Sequence, residues 1–349
     1  LQKNCFKNMN LFNLKKNTCK IIAEVGQLHD GNINIAHNII DKLHETKVDA
    51  VKFQTHYADE ESTIQEPWRV NFSKKDRTRF DYWRRMEFSI NEWLELKKHC
   101  EKLNMEFLSS PFSPKAVNIL KKIGIKYLKI ASGEVSNSLL MNEVLKTRIP
   151  LIISSGMSNI HEIDKIIEEL KIRKIKFALL QCTSQYPCKA KDLGLNNLKV
   201  FKDRYKCLTG FSDHSGNMFA SLAAISLGAH FIETHVTFSK DYFGPDSSSS
   251  LTFEEIKKLV EGRDYILEII NNPVQKNKFN KILKKNKKIF TKSIVLNKDL
   301  NKDQAIKLSD ISLKKPNIGL NSNMINQVIG KKLKTKMKKN KFLKFKDLI

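Results

Sequence analysis

The chain has 349 residues, 41% of them hydrophobic, and a formal net charge of +25. This length is sufficient for a (β/α)8 barrel of about 250 residues followed by a small second domain. The sequence lacks a run of about 18 apolar residues, the length that a membrane-spanning helix requires, so we expect no such helix.

The first 18 residues are polar and basic and lack the apolar stretch of a signal peptide. Residues 1–18 are therefore interpreted as a ragged N-terminal extension of a cytoplasmic protein. The six cysteines lack the spacing of a metal-binding motif and are expected to be free thiols in a reducing compartment.

Short β-branched runs alternate with amphipathic segments through the first 270 residues. Predicted strands occupy residues 20–24, 50–54, 106–109, 127–131, 151–154, 177–181, 207–210 and 231–234. Predicted helices include residues 33–45, 90–103, 114–123, 159–170, 219–227 and 252–270. Eight strands with their crossovers predict an α/β fold, a (β/α)8 TIM barrel over residues 19–272.

Two further stretches do not fit this repeat. Residues 55–89 are too many for a simple connection and include Trp68, Tyr82 and Trp83, so they are expected to form a functional lid or a subunit contact. Residues 273–288 are rich in lysine and asparagine with little apolar periodicity, and are interpreted as a linker. Residues 289–349, with strand-like pieces at 293–296 and 341–345, are predicted to form a small second domain that covers another surface.

The excess positive charge is concentrated in the C-terminal part of the chain. Residues 271–349 contain 22 lysines and four aspartates, with no arginine or glutamate. These lysines lack interleaved aromatic residues and arginines, and lysine, asparagine and isoleucine are frequent throughout. The pattern indicates compositional drift rather than a specific nucleic-acid partner.

His214 and His235 each follow the end of a predicted strand. In a barrel of this type the carboxyl ends of the strands carry the chemistry, so the two imidazoles could hold one divalent cation that keeps open positions for water and substrate. Mn²⁺, Co²⁺, Zn²⁺ and Mg²⁺ all remain possible ions. The remaining histidines are interpreted as ordinary surface or packing residues: His29, His37, His44, His56, His99, His161 and His230.

Lys52 and Lys129 lie within otherwise apolar predicted strands. A buried ammonium group is costly unless an anion or a carboxylate contacts it. One alternative is pairing with a structural acid such as Glu24 or Glu134. Two such lysines on different strands, near the two histidines, favour a bound anion.

Hydroxyl groups recur at successive strand ends. One serine at such a position is usually a helix N-cap, but the repetition favours an oxygen-rich ligand such as phosphate. These residues are Ser109, Ser110, Ser132, Ser154, Ser155, Thr183, Ser184 and Ser212. The remaining polar groups near the strand ends indicate a site for a polyhydroxylated molecule, and they are Glu24, Gln54, Glu134, Tyr186 and Asp246.

Taken in order, these segments resemble the sialic acid synthase family, which makes nine-carbon 2-keto-3-deoxy sugar acids from phosphoenolpyruvate and a 2-acetamido sugar. The matching segments are AEVGQ at 23–27, VKFQT at 51–55, FLSSPF at 107–112, KIASGE at 129–134, ISSGM at 153–157, QCTSQYP at 181–187, GFSDHS at 210–215, IETHV at 232–236 and GPD at 244–246. The tail resembles the family's C-terminal antifreeze-like (SAF) domain, a small β-clip fold.

The resemblance implies a role for each matching residue. His214 and His235 would bind a divalent metal, with Mn²⁺ the first choice. Phosphoenolpyruvate would contact Lys52, Ser110, Lys129, Ser132, Ser154, Ser184 and Ser212. The amino-sugar would contact Glu24, Gln54, Glu134, Tyr186, Asp246 and Lys315.

The resemblance also implies a reaction and an assembly. The cation would polarise the aldehyde of the open-chain sugar, C3 of phosphoenolpyruvate would attack it, water would add at C2, and phosphate would leave. Glu24 and Glu134 are candidates for moving protons. A domain-swapped homodimer is implied, in which the antifreeze-like domain reaches the partner's barrel.

One position departs from the family pattern. Lys315 precedes Pro316 where the family usually has an arginine, so the charge is kept but bidentate hydrogen bonding is lost. Asn317 also follows that proline, where glycine is usual.

The first functional hypothesis is a metal-dependent synthase that uses N-acetylmannosamine or a related 2-acetamido sugar. The alternatives are a synthase for legionaminic or pseudaminic acid, or one that uses a 6-phosphorylated sugar. A non-catalytic carbohydrate-binding or ice-binding protein is a distant alternative, because a binding protein has no need of an open metal site.

Overall fold

The computed structural model describes residues 10–278 and 280–349, so residues 1–9 of the predicted extension and Phe279 of the predicted linker lie outside it. The chain divides into two compact units, with the boundary between Asn272 and Pro273. No helix among the described residues is both long enough and apolar enough to cross a membrane.

The first unit alternates strands and helices. Its strands are β1 (Lys20–Gly26), β2 (Ala50–Thr55), β3 (Glu106–Pro111), β4 (Leu128–Ile130), β5 (Leu151–Ser154), β6 (Phe177–Cys182), β7 (Leu208–Asp213), β8 (Phe231–Thr237) and β9 (Leu251–Thr252). Its helices are α1 (Ile33–Thr46), α2 (Ala58–Glu61), α3 (Arg79–Met86), α4 (Ile90–Lys102), α5 (Pro114–Lys122), α6 (Ser138–Thr147), α7 (Ile160–Ile172), α8 (Asn197–Tyr205), α9 (Phe219–Ser226) and α10 (Phe253–Asn271).

Strands β1 to β8 form a closed parallel barrel. Each strand pairs with the next along the chain, and β1 also pairs with β8, with Glu24 opposite His235 in the register. The short strand β9 adds to the carboxyl end of β8. The predicted TIM barrel is therefore confirmed, and the carboxyl ends of its eight strands meet at one mouth.

Side chains alternate between two core layers because successive strand residues point to opposite faces. The outward set, such as Phe53 and Phe107, packs against the helices together with the buried Trp93 of α4. The inward set fills the lower barrel with Ile22, Ala50, Leu108, Tyr127, Ile152, Ala178, Leu180 and Phe231. Above this apolar layer, the inward positions become polar and form the floor of the site.

The helices begin where the sequence supplies capping residues. Ser89, Asn159 and Thr252 each accept a hydrogen bond from the backbone three residues later, and the acid at that position bonds back to the cap. Such reciprocal caps satisfy the free backbone N–H groups at the start of a helix. The turn from strand to helix is thereby fixed, which holds the strand ends at the mouth.

The prediction that residues 10–18 belong to a ragged extension is wrong, because they pack against the barrel. Leu11 is 1% exposed and packs within the lower barrel layer, and its backbone N–H donates to the Tyr127 hydroxyl at 3.0 Å. Phe12 stacks on the same tyrosine ring with centroids 5.7 Å apart. This part of the extension therefore closes the amino end of the barrel, because an apolar interior open to water would be destabilising.

The second unit contains helix α11 (Lys281–Phe290) and the antiparallel strands β10 (Ser293–Leu296) and β11 (Ile311–Lys314), followed by the short helix α12 (Ile325–Val328). Leu296, Leu300, Leu333 and Leu343 belong to its own buried core. A small C-terminal domain with an antiparallel sheet is thus present, and its assignment as a β-clip remains a prediction.

Two details of this unit differ from the sequence-based expectation. Helix α11 begins in the predicted linker and ends two residues beyond it, and its apolar side chains, including Ile282 and Phe290, are exposed. Residues 341–345 do not form a regular strand, and Phe342 makes a single bridge to Val295. The helix was missed because its few apolar residues are separated by lysines.

Candidate active site

The first part of the polar floor is built on β1, β2 and β3. The Lys52 ammonium lies 2.6 Å from Glu24 Oε2 and donates to Ser110 Oγ at 3.2 Å. Burial alone lowers the pKa of Lys52, but the carboxylates of Glu233 and Glu24 more than offset it, so the pKa is raised. Lys52 is therefore a charged group at the base of the mouth.

A second lysine of this floor, Lys129, lies on β4, two strands from Lys52. Lys129 donates to Ser154 Oγ at 2.7 Å and lies 3.5 Å from Glu233 Oε1, which also accepts from Ser212 Oγ at 3.1 Å. Burial lowers the pKa of Lys129, and the charge of Lys52 lowers it further against the opposing effect of Glu233. Burial alone raises the pKa of Glu233, but Lys129, Lys52 and His235 together lower it to about 2.

The sequence left two alternatives for the buried lysines, which were pairing with a structural acid and binding of an anion. The contacts of Lys52 and Lys129 bear on both. Lys52 is paired with Glu24, as the pairing alternative expected. Lys129 is paired with Glu233 instead of Glu134, which lies on the following loop and accepts from Asn137 Nδ2 at 2.8 Å. The lysines therefore have internal counterions, and a bound anion remains a prediction.

The two predicted metal-binding histidines lie side by side above the floor. Their ring centroids are 5.4 Å apart, and the Tyr186 ring stacks on His214 at 4.1 Å. The Thr183 carbonyl oxygen lies 3.0 Å from His214 Nδ1, so Nδ1 donates and Nε2 of the neutral ring keeps its lone pair. The chain thus brings the two residues together at adjacent strand ends, and their ligation of a common metal ion remains a prediction.

The side chains around these two rings suit a metal ion that is coordinated only in part by the protein. Among the residues that the structure describes, no group of three or more His, Cys, Asp or Glu side chains could hold a metal. His235 Nδ1 lies 3.8 Å from Asp246 Oδ2, beyond hydrogen-bonding distance. Two imidazoles would leave several coordination positions for water and substrate, as in catalytic metal sites.

Serine hydroxyls from neighbouring loops form a small cradle beside His214. Ser132 Oγ lies 3.6 Å from Cys182 Sγ, and Ser184 Oγ is buried without a hydrogen-bond partner among the described residues. A Cβ atom on Gly156 would lie 2.5 Å from Ser184 Oγ and 2.9 Å from both Ser132 Oγ and Cys182 Sγ. The glycine therefore keeps open a space lined by hydroxyls, as a phosphate or carboxylate requires.

A cavity of about 930 Å³ opens above these groups. The predicted sugar-binding residues Gln54, Glu134, Tyr186 and Asp246 line it, whereas Glu24 lies beneath Gln54 and accepts from its Nε2 at 2.6 Å. Burial raises the pKa of Glu134 above its ordinary value. Lys315 belongs to the second unit, and its predicted contact with the sugar remains a prediction.

The segment 55–89 forms one wall of the cavity. Its aromatic side chains, including Trp68, Tyr82 and Trp83, pack into a cluster of their own. Arg69 reaches across to Asp246 at 2.5 Å, and its guanidinium lies 4.6 Å from the centroid of the Tyr186 ring. Of the two expected roles, the structure supports that of a cover over the site.

Several site residues were not indicated by the sequence analysis. Glu233 lies on the inward face of β8, two residues from His235, and its position within an apolar strand was an available signal. Cys182 Sγ lies 3.8 Å from His214 Nδ1. Burial raises the pKa of this thiol, but the opposing effect of His214 and Ser132 is larger. The pKa of Cys182 is therefore below its ordinary value. No spacing rule could have identified Arg69.

This arrangement is typical of a TIM-barrel enzyme whose site lies at the carboxyl ends of the strands. The lysines, serines and cradle suit an anion, and the cavity suits a polyhydroxylated partner.

Comparisons with known proteins agree with this class. The NeuB family model matches residues 39–275. The N,N'-diacetyllegionaminic acid synthase of Campylobacter jejuni is 31% identical over 89% of this chain and 94% of that protein. The pseudaminic acid synthase of Helicobacter pylori is 28% identical over 94% and 97%. The crystal structure of the N-acetylneuraminic acid synthetase from Leptospira borgpetersenii covers 80% of this chain and 96% of that one at 31% identity, with a TM-score of 0.69.

The chain therefore belongs to the NeuB family. It is a phosphoenolpyruvate-dependent nonulosonic acid synthase, a transferase that condenses phosphoenolpyruvate with an amino-sugar. The predicted family and enzyme class are confirmed, and the non-catalytic alternative is wrong.

Proposed function

We propose that the enzyme condenses phosphoenolpyruvate with N-acetylmannosamine or a related 2-acetamido sugar, giving a sialic-acid-type nonulosonic acid and phosphate. The observation that carries this proposal is the stacking of two layers at one mouth. Two lysines and their serine partners lie at the base, and two imidazoles lie above them, beneath a cavity lined by the predicted sugar residues.

Phosphoenolpyruvate would occupy the lower layer. Lys52 and Lys129 would hold its phosphate and carboxylate, with hydroxyl donors from Ser110, Ser132, Ser154, Ser184 and Ser212. Ammonium and hydroxyl groups fixed in a buried site stabilise developing charge without having to reorganise. The unpartnered Ser184 hydroxyl supports this assignment, because a buried polar atom without a partner is costly.

His214 and His235 would hold a divalent cation, for which Mn²⁺ is the first choice and Mg²⁺, Co²⁺ or Zn²⁺ also suit the donors. When bound, the ion would supply Lewis-acid polarisation of the sugar aldehyde. Thr183 fixes the ring orientation of His214, and Tyr186 stacks on the same ring, so both residues would keep the imidazole in a binding orientation.

Glu24 and Glu134 are the candidates for proton movement. Glu134 lines the cavity with a raised pKa, which suits a group that exchanges a proton near neutral pH. Glu24 is held by Lys52 and Gln54 and would orient both. Arg69 and Tyr186 would close the sugar side of the site.

The charge of the cavity supports an acceptor without a phosphate. Six carboxylates line it (Asp59, Glu60, Glu61, Glu66, Glu134 and Asp246), against two arginines. Arg69 is paired with Asp246 and Arg79 with Glu66 at 3.1 Å. A 6-phosphorylated sugar would bring negative charge into a region that already has an excess of it.

A second candidate acceptor is a diacetamido sugar of the kind that leads to N,N'-diacetyllegionaminic acid, the product in the name of the Campylobacter jejuni relative. Trp68, Phe72, Trp83 and Phe112 present ring surfaces to the cavity, which suit methyl groups better than hydroxyls. The pseudaminic acid precursor belongs to the same class.

We also propose a cytoplasmic, domain-swapped homodimer in which Lys315 of one protomer approaches the sugar site of its partner. The charge complementarity between the basic tail and the acidic cavity wall supports this arrangement.

The test is a phosphate-release assay with phosphoenolpyruvate and a panel of acceptors, with the product identified by mass. The panel contains N-acetylmannosamine, its 6-phosphate and the two diacetamido sugars. We expect turnover with an unphosphorylated sugar and a kcat/KM at least tenfold lower with the 6-phosphate. Preference for the 6-phosphate would contradict the charge argument, and no phosphate release with any acceptor would contradict the proposed function.

A further inference from the structure

One buried acid in the cavity, Glu61, has so far been considered only for its charge. Glu61 ends helix α2, and its side chain is 9% exposed. Its Oε1 lies 2.6 Å from His56 Nδ1, whereas its Oε2 is buried and has no hydrogen-bond partner among the described residues. A buried carboxylate oxygen without a donor is costly, so a donor is expected to reach it from the cavity.

The position of His56 is fixed by its neighbours. Its ring is sandwiched between Trp83 and Phe112, with centroid distances of 4.1 Å and 4.4 Å and interplanar angles of 22° and 18°. The ring therefore has little freedom to turn, and its two nitrogens point along one line, towards Glu61 and towards Gln54.

The hydrogen bonds along this line have one consistent direction. The Glu24 carboxylate accepts from Gln54 Nε2 at 2.6 Å, so the amide oxygen of Gln54 faces the other way. His56 Nε2 lies 3.0 Å from that oxygen, to which Gln27 Nε2 also donates, and Gln27 Nε2 itself lies 3.3 Å from His56 Nε2. The other ring nitrogen, Nδ1, contacts Glu61 Oε1, which leaves Oε2 as the carboxylate oxygen without a partner among the described residues.

Glu61 faces the same space as the predicted sugar residues. It lines the cavity together with Gln54 and Glu134, and its charge contributes to the raised pKa of Glu134. The Oε2 atom of Glu61 has no partner among the described residues and can accept a hydrogen bond. A hydroxyl of the amino-sugar is a donor of the right kind at this position.

We propose that Glu61 is a substrate-binding residue whose Oε2 accepts a hydrogen bond from a hydroxyl of the amino-sugar, and that His56 is the positioning residue that holds it. This inference rests on the proposed function. It extends the sugar site from the strand ends onto the segment 55–89 and gives that segment a role in substrate recognition.

The experiment measures KM for both substrates in Glu61→Gln, with Glu60→Gln as the matched control. Glu60 is the adjacent residue and also lines the cavity, but it is exposed and lies 3.8 Å from Lys115. We expect Glu61→Gln to raise KM for the acceptor that the wild type uses by about 10- to 100-fold, the loss typical of a hydrogen bond to a charged group. KM for phosphoenolpyruvate should stay within about twofold, since the lysine layer is unchanged.

Two further variants test the role of His56. His56→Phe keeps a ring between Trp83 and Phe112 but removes both ring nitrogens, so it should reproduce the KM effect of Glu61→Gln. His56→Asn, whose amide nitrogen can take the place of Nδ1, keeps a donor towards Glu61 and should recover part of the lost affinity. Melting temperatures close to the wild-type value would show that the effects are not those of unfolding.

Mono-deoxy analogues of the same acceptor separate direct contact from indirect positioning. One analogue should lose affinity with the wild type and lose little more with Glu61→Gln, because both changes remove the same hydrogen bond. Equal effects of Glu61→Gln and Glu60→Gln, parallel shifts in both KM values, or additive losses with every analogue would overturn the inference. Wild-type turnover is measured first, so these outcomes would fault Glu61 without faulting the proposed function.

Discussion

The imidazole rings of His214 and His235 lie 5.4 Å apart, centroid to centroid, at the ends of the adjacent strands β7 and β8. Neither ring is aimed at open solvent, since the two residues are 4% and 7% exposed. This pair lies between the lysine layer and the sugar cavity, where the aldehyde carbon and phosphoenolpyruvate would have to meet.

Gly156→Ala should impair phosphoenolpyruvate binding. The new methyl group would lie 2.5 Å from Ser184 Oγ, within the cradle. We expect KM for phosphoenolpyruvate to rise roughly five- to a hundredfold, in line with the free energy that overpacking typically costs. Gly133→Ala is the control, because its nearest contact would be Met157 Sδ at 3.8 Å. Equal kinetics in the two variants would argue against a cradle.

Glu134→Gln should lower activity while raising stability at neutral pH. Burial raises the pKa of Glu134 in the folded state, so folding favours the protonated form. The contribution of the Glu134 carboxyl to the free energy of unfolding is therefore fully present below the unfolded-state pKa. It is lost as the pH rises through the folded-state pKa. The glutamine variant should melt higher than the wild type at pH 7, and the difference should disappear in acid. A lower melting temperature at pH 7 would contradict this.

Lys315→Arg should change KM for the acceptor more than KM for phosphoenolpyruvate, because arginine adds a bidentate donor. Steady-state kinetics with each substrate varied in turn would measure this. Equal changes in both constants, or none, would show that this residue does not reach the sugar.

Leu11→Ala should destabilise the barrel without changing its kinetics. Leu11 is buried in the lower layer, far from the mouth, and its loss should cost about 2–4 kcal/mol of unfolding free energy. Chemical denaturation would measure it, with the partly buried Leu14→Ala as a milder comparison. An unchanged unfolding free energy would show that residues 10–18 do not stabilise the barrel.

The sequence predicted the parts of the fold that depend on local periodicity. The eight strands could be located because β-branched runs alternate with amphipathic helices, and the strand ends followed from them. The position of His214 relative to His235 was predictable for the same reason, since consecutive parallel strands are neighbours. The helix over Lys281–Phe290 was not predicted, because its apolar residues form only two pairs, at 282–283 and 289–290, with lysines and an asparagine between them.

What the sequence could not provide were contacts between residues that are distant along the chain. Leu11 bonds to Tyr127 through a pairing that no local pattern indicates. His56 was interpreted as an ordinary histidine because its partners, Glu61 and Gln54, become partners only through the packing of Trp83 and Phe112 around it. Glu24 and Glu134 were the acids considered as partners of the buried lysines, but the inward face of β8 supplies Glu233 to Lys129.

The most direct test of this account replaces His214 and His235 separately by alanine. The measurement is acceptor-dependent phosphate release from phosphoenolpyruvate, together with Mn²⁺ binding by calorimetry and circular dichroism of each variant. We predict that each variant folds, loses Mn²⁺ binding and releases phosphate at least about a hundredfold more slowly, because the Lewis-acid contribution is removed. Near-wild-type turnover in both variants, with Mn²⁺ still bound, would contradict it.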